Sequence, residues 1–159
     1  MTRCEKLFTC FVFNAFDFVR RFGFRAKSET VKTKAGNLIL TKSEDSLFQI
    51  KIGDEVLFES QTEFGTVAGK YTLNNPKFIL LSIGENALAC ATHFYIVDVS
   101  KKEPAITEAF GNCSPAPKIL FQNQTLIVKF PDGRKNKSDY KYGAAETWQY
   151  RNGKLKKLR

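Results

Sequence analysis

From residue 28 onward, short runs of strand-forming residues alternate with turn-forming pairs, and this pattern restricts the chain to a small group of folds. About ten runs recur at a spacing of roughly 8–12 residues, which is typical of sheets built from short strands. Asn152-Gly153 is the strongest hairpin signal, because both central positions of a type I′ turn need positive φ. The predicted strands are residues 29–34, 37–42, 47–52, 55–60, 77–83, 91–99, 119–121, 126–130, 146–150 and 155–158.

Helical periodicity is nearly absent after residue 28, so the sequence predicts an all-β fold made of antiparallel strands in a meander. The runs over residues 77–83 and 91–99 are apolar almost throughout. Continuous apolar runs are typical of central strands that are buried on both faces. The pattern leaves open whether the sheets form a sandwich, a barrel or a partial propeller-like stack, because no internal repeat is regular enough to decide.

Residues 7–24 differ from the rest of the chain because they are rich in phenylalanine and follow a helical period. Apolar side chains recur there at spacings of three and four residues, which predicts an N-terminal helix with one apolar face. The apolar run is too short and too polar to cross a hydrocarbon core of ~30 Å, which needs ~20 residues. The helical face consists of Phe8, Phe11, Ala15, Phe18 and Phe22.

Four interpretations of this N-terminal segment stay open. Cations ahead of the apolar run are typical of a signal peptide, although Asp17 and the pair Arg20-Arg21 count against one. Cations beside a Phe face are also typical of a helix lying on a membrane surface. A helix docked on the strands and a mis-assigned start are the other two. The composition changes abruptly at residue 28, which divides the chain into an N-terminal segment, 1–27, and a β domain, 28–159.

The net charge of +9 is unevenly distributed. Residues 1–35 carry eight Lys/Arg against three Asp/Glu, and residues 129–159 carry ten against three, whereas residues 36–128 carry seven against ten. Basic ends on a mildly acidic body are typical of basic tails rather than of a dedicated nucleic-acid surface. No RNA-binding aromatic motif, zinc-finger spacing or recognition-helix pattern is present, so the sequence does not favour a nucleic-acid partner.

A polar, basic stretch over residues 131–143 is predicted to be a loop. Cationic and aromatic side chains are enriched at binding hot spots, so this loop is the best candidate for an interaction surface. Trp148 and Tyr150 follow it, and they either extend that surface or share one strand face and fill the core. The candidate surface residues are Arg134, Lys135, Lys137, Tyr140 and Tyr142.

The four cysteines fall into two pairs, and neither pair has the C-x-x-C spacing of a zinc or redox site. His93 is the one histidine available to a metal site, so no metal is expected. Cys90 lies just before an apolar strand and Cys113 follows a Gly-Asn turn. The pair therefore forms either a disulfide between neighbouring β-elements, in an oxidising compartment, or two buried thiols.

The sequence carries no recognisable catalytic set. It has no Gly-rich phosphate loop and no Gly-x-Ser-x-Gly elbow. His93 is three residues after Cys90 in a strand, a spacing that predicts side chains on opposite faces and disfavours a Cys–His nucleophile. The carboxylate pairs Glu44-Asp45 and Asp54-Glu55 lie at predicted turns. Turn positions are usually solvated, whereas a carboxylate in acid–base catalysis needs a pocket that perturbs its pKa. We therefore expect no enzyme activity and no cofactor.

Three short motifs carry a resemblance to known proteins. Residues 89–98 read ACATHFYIVD, residues 110–114 read FGNCS and residues 146–150 read ETWQY. Together they resemble a group of uncharacterised bacterial exported β-proteins with a cysteine pair, over about residues 77–155 of this chain. The resemblance implies export and a bridge between Cys90 and Cys113, but it implies no activity. The N-terminus departs from the group, whose members begin with a cleaner signal peptide.

These features together predict a non-catalytic binding module of the bacterial envelope, periplasmic or secreted, with a protein partner. An inhibitor or immunity protein against a secreted enzyme or toxin fits the compact β-fold, the cysteine pair and the basic loop. A nucleic-acid-binding domain and a small hydrolytic domain built around Cys90 and His93 are the alternatives, and a cytoplasmic location is the alternative compartment. The N-terminal segment is a candidate for membrane contact.

Overall fold

The computed structural model describes residues 28–42, 47–61, 64–71, 76–87, 90–133 and 143–158. In these ranges twelve strands form three four-stranded antiparallel sheets, and each sheet is a meander whose strands pair in chain order. The strands are β1 (Glu29–Thr33), β2 (Gly36–Lys42), β3 (Leu47–Ile52), β4 (Glu55–Gln61), β5 (Phe64–Tyr71), β6 (Phe78–Ala87), β7 (Cys90–Asp98), β8 (Ala105–Ile106), β9 (Lys118–Gln122), β10 (Thr125–Phe130), β11 (Glu146–Arg151) and β12 (Lys154–Lys157).

The all-β antiparallel prediction is confirmed. We call β1–β4 the first sheet, β5–β8 the central sheet and β9–β12 the third sheet. Each of the ten predicted strands coincides with an observed strand, and the predicted Asn152-Gly153 hairpin connects β11 to β12 with positive φ at both turn residues. The three sheets stay separate over the described residues, so the barrel alternative is wrong and the arrangement is a sandwich-like stack.

Two strands, β5 and β8, have no counterpart among the sequence predictions. β8 spans only two residues. β5 contains Gly65 and Gly69, and glycine weakens the strand pattern in sequence. The reason for glycine lies in the packing, because a Cβ at Gly65 would overlap the ring of Phe48, which projects from β3. The close approach of the first sheet thus requires glycine at this position, and glycine gives no strand signal in the sequence.

The central sheet is buried on both faces, as its apolar runs predicted. Side chains alternate along β6. Ile79, Leu81 and Ile83 pack toward the first sheet, and Phe78 and Leu80 pack toward the third sheet. None of the five is more than 6% exposed.

The two sides of the central sheet form separate hydrophobic clusters, each with its own composition. We name them the aliphatic interface and the aromatic interface. The aliphatic interface joins the first and central sheets through Val31, Leu38, Leu40, Phe48, Ile50, Ile52, Ile79, Leu81, Ile83, Val97 and Val99. The aromatic interface joins the central and third sheets through Phe78, Leu80, Phe94, Ile96, Phe110, Leu126, Val128, Phe130 and Tyr150. A fully buried side chain of this size stabilises the fold by about 1.5–3 kcal/mol.

The N-terminal segment, residues 1–27, lies outside the described residues, and so does its predicted helix. The described part opens at Ser28, one residue before β1. In these ranges no helix is long and apolar enough to cross a membrane.

Candidate interaction surface

The five candidate residues of the basic loop lie outside the described residues, but the structure describes both ends of that loop. The chain leaves β10 through Pro131, Asp132 and Gly133 and returns at Gly143 and Ala144 before β11. Gly133 N donates a hydrogen bond to the Gly143 carbonyl at 3.2 Å. The two ends of residues 134–142 are therefore held against each other.

Asn112 fastens these loop ends. Its Nδ2 donates to the carbonyl oxygens of Pro131, at 2.6 Å, and Ala144, at 2.9 Å. The Asn112 carbonyl accepts from Gly143 N at 2.9 Å, and Oδ1 accepts from Ser114 N at 3.1 Å. Asn112 is only 4% exposed, so these bonds form away from water, where an unmade bond is costly. One buried side chain thus joins both ends of the basic loop.

The disulfide lies next to this asparagine. Cys90 and Cys113 are bridged, with Cα atoms 4.9 Å apart, so the bridge expected from the resemblance is present in the structure. Cys113 has φ of 71°, a left-handed conformation that is uncommon for a residue other than glycine. The bridge and the Asn112 bonds hold this segment in that conformation and tie it to β7 of the central sheet.

Phe110 and Gly111 anchor the same segment from its other side. Phe110 forms an antiparallel bridge with Phe94 of β7, with both N–H···O bonds at 3.0 Å. Gly111 has φ of 115°, and a Cβ there would lie 2.9 Å from the ring of Phe130. The turn that carries Asn112 therefore rests on the aromatic interface, and the loop base belongs to the rigid part of the molecule.

His93 lies closer to the disulfide than the strand period predicted. Its Nδ1 is 3.9 Å from Cys90 Sγ, so the prediction that the two side chains point to opposite faces is wrong. The pairing of β6 with β7 shifts register between Gly84 and Ala87, opposite the segment of β7 that begins at Cys90. Both Sγ atoms belong to the bridge, whereas a cysteine nucleophile needs a free thiolate.

Trp148 and Tyr150 belong to the core. Tyr150 is 3% exposed, and Trp148 stacks at 5.5 Å between ring centroids on Phe110 of the aromatic interface. The interpretation that they share one strand face and fill the core is confirmed. Trp148 Nε1 donates to Glu146 Oε2 at 2.8 Å, so its polar group is satisfied at the edge of the sheet.

The opposite end of the central sheet holds a buried carboxylate that sequence reasoning missed. Tyr150 donates its hydroxyl to Asp98 Oδ2 at 2.8 Å, and Asp98 Oδ1 accepts from Ser100 N at 2.9 Å and from Ser100 Oγ at 2.5 Å. Burial, and then the hydrogen bond to Asp98, raises the pKa of the Tyr150 phenol. The one available signal was an acid placed at the end of an apolar strand.

A cleft of about 460 Å³ opens above this carboxylate. Lys77 Nζ donates there to Gln124 Oε1 at 3.3 Å. Each oxygen of Asp98 is already engaged by Tyr150 or Ser100, so the carboxylate joins the central and third sheets. Among the described residues no cluster of three His, Cys, Asp or Glu is placed to hold a metal ion.

Comparison with known proteins adds no family to this description. No family model, no curated protein and no solved structure matches the chain. The resemblance to exported bacterial β-proteins stays a prediction, and function has to be argued from the geometry of the described residues.

Proposed function

We propose that this protein is a non-catalytic binding module that contacts a protein partner through the basic loop of residues 134–142. In the candidate set the loop carries Arg134, Tyr140 and Tyr142, residue types that are enriched at binding hot spots, together with the cations Lys135 and Lys137. An inhibitor or immunity protein against a secreted enzyme or toxin is the role that this combination fits.

The observation that carries the proposal is the Asn112 clamp at the base of the loop. Binding residues are commonly placed on loops that a rigid scaffold positions. Fixing the loop ends before binding lowers the entropy lost when the partner docks. Asn112, the disulfide and the Phe110–Phe94 bridge together supply such a base.

The compartment proposed for this function is the periplasm or the exterior of a bacterial cell. Disulfides persist in oxidising compartments and are rare in the cytosol. The Cys90–Cys113 bridge is consistent with such a compartment, and it supports the loop base directly.

Capture of partners from the native host by the tagged full-length protein tests the proposal. The wild type should retain a protein partner, including any product of a neighbouring gene. Tyr140→Ala with Tyr142→Ala should weaken that complex by about thirtyfold, since hot-spot truncations cost ~2 kcal/mol or more. The matched control, Lys32→Gln in β1 with Lys34→Gln in the turn after it, should leave the complex unchanged.

Asn112→Ala tests whether the hydrogen bonds that hold the loop ends contribute to binding in addition to the loop side chains. This variant substitutes no residue of the loop itself. It removes the hydrogen bonds from Asn112 to the carbonyl oxygens of Pro131 and Ala144, so the partner should dissociate faster. A protein that captured no partner, or a complex indifferent to the loop substitutions, would count decisively against the proposed role.

A further inference from the structure

The outer face of the third sheet carries five cations among neutral side chains such as Leu120, Ile127 and Gln149. Side chains alternate along a strand, so residues whose neighbours fill the aromatic interface point away from the core. The strand register places Lys129 beside Lys118, and Arg151 beside Lys154, on adjacent strands. Lys156 lies between these pairs, opposite Gln149. We call these five residues the cationic face, and all five are exposed.

The positive charge of the cationic face is not neutralised within the described structure. None of its five residues forms an ion pair with another described residue. Glu146 is the only acidic residue in the strands of the third sheet, and it pairs with Lys157 beside Trp148 on the inner side. Five cations on one face of the sheet, with no acid in the strands of that face, create a positive potential that favours a polyanion covering them.

The outer face of the first sheet shows that this pattern is not a general property of the surface. Lys32 and Lys51 lie there together with Glu59, which accepts a hydrogen bond from Gln49 Nε2. Charges of both signs share that face, as they do on an ordinary solvated sheet. The two outer faces therefore have different electrostatic character although both belong to four-stranded meanders.

The shape of the cationic face argues against nucleic acid. Four strands at a spacing of ~4.8 Å span about 14 Å between the outer strand axes, which is broader than a major groove of ~12 Å once side chains are added. Single strands are held by stacking on aromatic side chains. The aromatic residues of this sheet, Phe121, Phe130, Trp148 and Tyr150, all pack on the inner face.

Its composition argues against a protein partner at this site. Lysine is depleted at protein interfaces and arginine is enriched, yet four of the five cations are lysines. An anionic bilayer makes no such distinction, because each Lys or Arg near the lipid surface contributes a similar attraction. Clusters of about 4–8 cations are typical of binding to anionic lipid.

We propose that the cationic face docks the protein on the surface of an anionic phospholipid bilayer. The outer side of this one sheet presents its five charges to the lipid surface together. Leu158 supports this assignment, because it continues β12 through a bond to the Thr147 carbonyl and is 49% exposed. By alternation its side chain lies on the same side as Lys154 and Lys156, where it can insert among headgroups. This surface is independent of the protein-binding loop proposed above.

Co-sedimentation of the full-length protein with vesicles tests the proposal. The protein should partition onto vesicles of phosphatidylcholine mixed with phosphatidylglycerol, but not onto pure phosphatidylcholine, and added salt should release it. Lys129→Gln, Arg151→Gln and Lys156→Gln together should lower the partition coefficient about a hundredfold, since each cation contributes about fivefold. The triple variant should keep the wild-type melting temperature, because all three side chains are exposed.

The matched control removes three cations from the other side of the stack. Lys32→Gln, Lys34→Gln and Lys51→Gln change the net charge equally and should leave partition within about twofold of wild type, since charges beyond a Debye length of ~10 Å are screened. Equal losses in both triple variants would show that net charge alone acts, and the proposal would be wrong.

Two other outcomes would also overturn the proposal. Unchanged partition of the cationic-face variant would assign lipid binding elsewhere, for example to residues 1–27, which both triple variants retain. Binding of duplex DNA or polyglutamate with no binding of any vesicle would show that the face serves a different polyanion. Tyr140→Ala with Tyr142→Ala should leave vesicle binding intact, so failure of the loop proposal would not affect this one.

Discussion

The first and third sheets cover opposite faces of the same central sheet, yet they do so with different chemistry. The first sheet contributes mainly Leu, Ile and Val to its interface, with Phe48 as the one buried aromatic and a single ring pair, Phe58 with Tyr95 at 5.0 Å, beside it. The third sheet meets the central sheet through packed rings, a buried tyrosine–aspartate hydrogen bond and a neighbouring disulfide. Because side chains alternate along β6 and β7, one pair of strands supports both interfaces.

The two interfaces differ in how strictly their contacts fix the relative orientation of the sheets. Aliphatic contacts are non-directional, so the first sheet needs the right volume rather than a set geometry. Ring pairs prefer particular angles and centroid distances, and Phe94–Phe130 at 5.2 Å and Phe78–Tyr150 at 5.3 Å are both edge-on. Both proposed binding surfaces, the basic loop and the cationic face, belong to the third sheet.

Phe94→Ala should produce the largest loss of stability. Phe94 is 1% exposed and contacts the rings of Phe110 and Phe130, so its removal should cost about 3–5 kcal/mol. Urea unfolding followed by circular dichroism measures the loss. Leu81→Ala in the aliphatic interface is the matched change, and it should cost about 2–4 kcal/mol. A Leu81 variant less stable than the Phe94 variant would reverse the comparison.

Removing the disulfide should have the next largest effect. Cys90 and Cys113 are 23 residues apart in sequence, and closing a loop of that length restricts the unfolded chain by about 3 kcal/mol. Cys90→Ser with Cys113→Ser should lower the free energy of unfolding by that amount, measured by urea denaturation, and dithiothreitol should destabilise only the wild type. Equal sensitivity of the double variant to the reductant would exclude this bridge as its target.

Tyr150→Phe tests the polar part of the aromatic interface. The substitution keeps the ring but removes the donor to Asp98, which leaves a buried carboxylate oxygen without that partner and should cost about 1–3 kcal/mol. Chemical denaturation at neutral pH measures the change. Tyr150→Phe combined with Asp98→Asn should not cost the sum of the two single changes, because both act on one hydrogen bond.

Alkaline pH should lower the free energy of unfolding through Tyr150 of the aromatic interface. Burial raises the pKa of Tyr150 above 10, so the unfolded state releases its proton first as the pH rises. The contribution of the protonated phenol to stability is therefore complete below pH 10. It declines above that pH by about 1.4 kcal/mol per pH unit for one such group. Burial also raises the pKa of Tyr71, which adds to the same decline. Denaturation midpoints between pH 9 and pH 11 should fall less in Tyr150→Phe than in wild type.

Local sequence features accounted for the strands but not for the contacts between them. Asn152-Gly153 announced its hairpin because both residues tolerate positive φ, whereas Asn123 and Gln124 form a comparable positive-φ turn without a glycine to mark it. Continuous apolar runs, without alternation, predicted that β6 and β7 are central. β5 was missed because Phe48, distant in sequence, requires Gly65 beneath its ring.

The candidate site was harder to predict from the sequence than the fold, because its residues come from distant positions in the chain. Asn112 and Ala144 are 32 residues apart, and Asp98 and Tyr150 are 52 apart, so no local period connects either pair. The proximity of Cys90 and His93 could not be predicted from their three-residue spacing, which in a regular strand places two side chains on opposite faces. The cationic face required the register of the third sheet, because its five residues are spread over four strands.

Deletion of residues 1–27 should have the smallest effect on stability. Both interfaces are already filled by residues after position 28, and no member of either cluster is more than 6% exposed. A docked Phe face would have to lie on an outer face, yet one of these carries Lys32, Gln49 and Lys51 and the other is the cationic face. The 28–159 protein should therefore unfold within about 1 kcal/mol of the full chain, as expected when a terminus is not tied down. A thermal melt of the two proteins decides the question, and a loss above about 3 kcal/mol, the size of a large core truncation, would show that the Phe-rich segment forms a third interface and that the boundary at residue 28 is wrong.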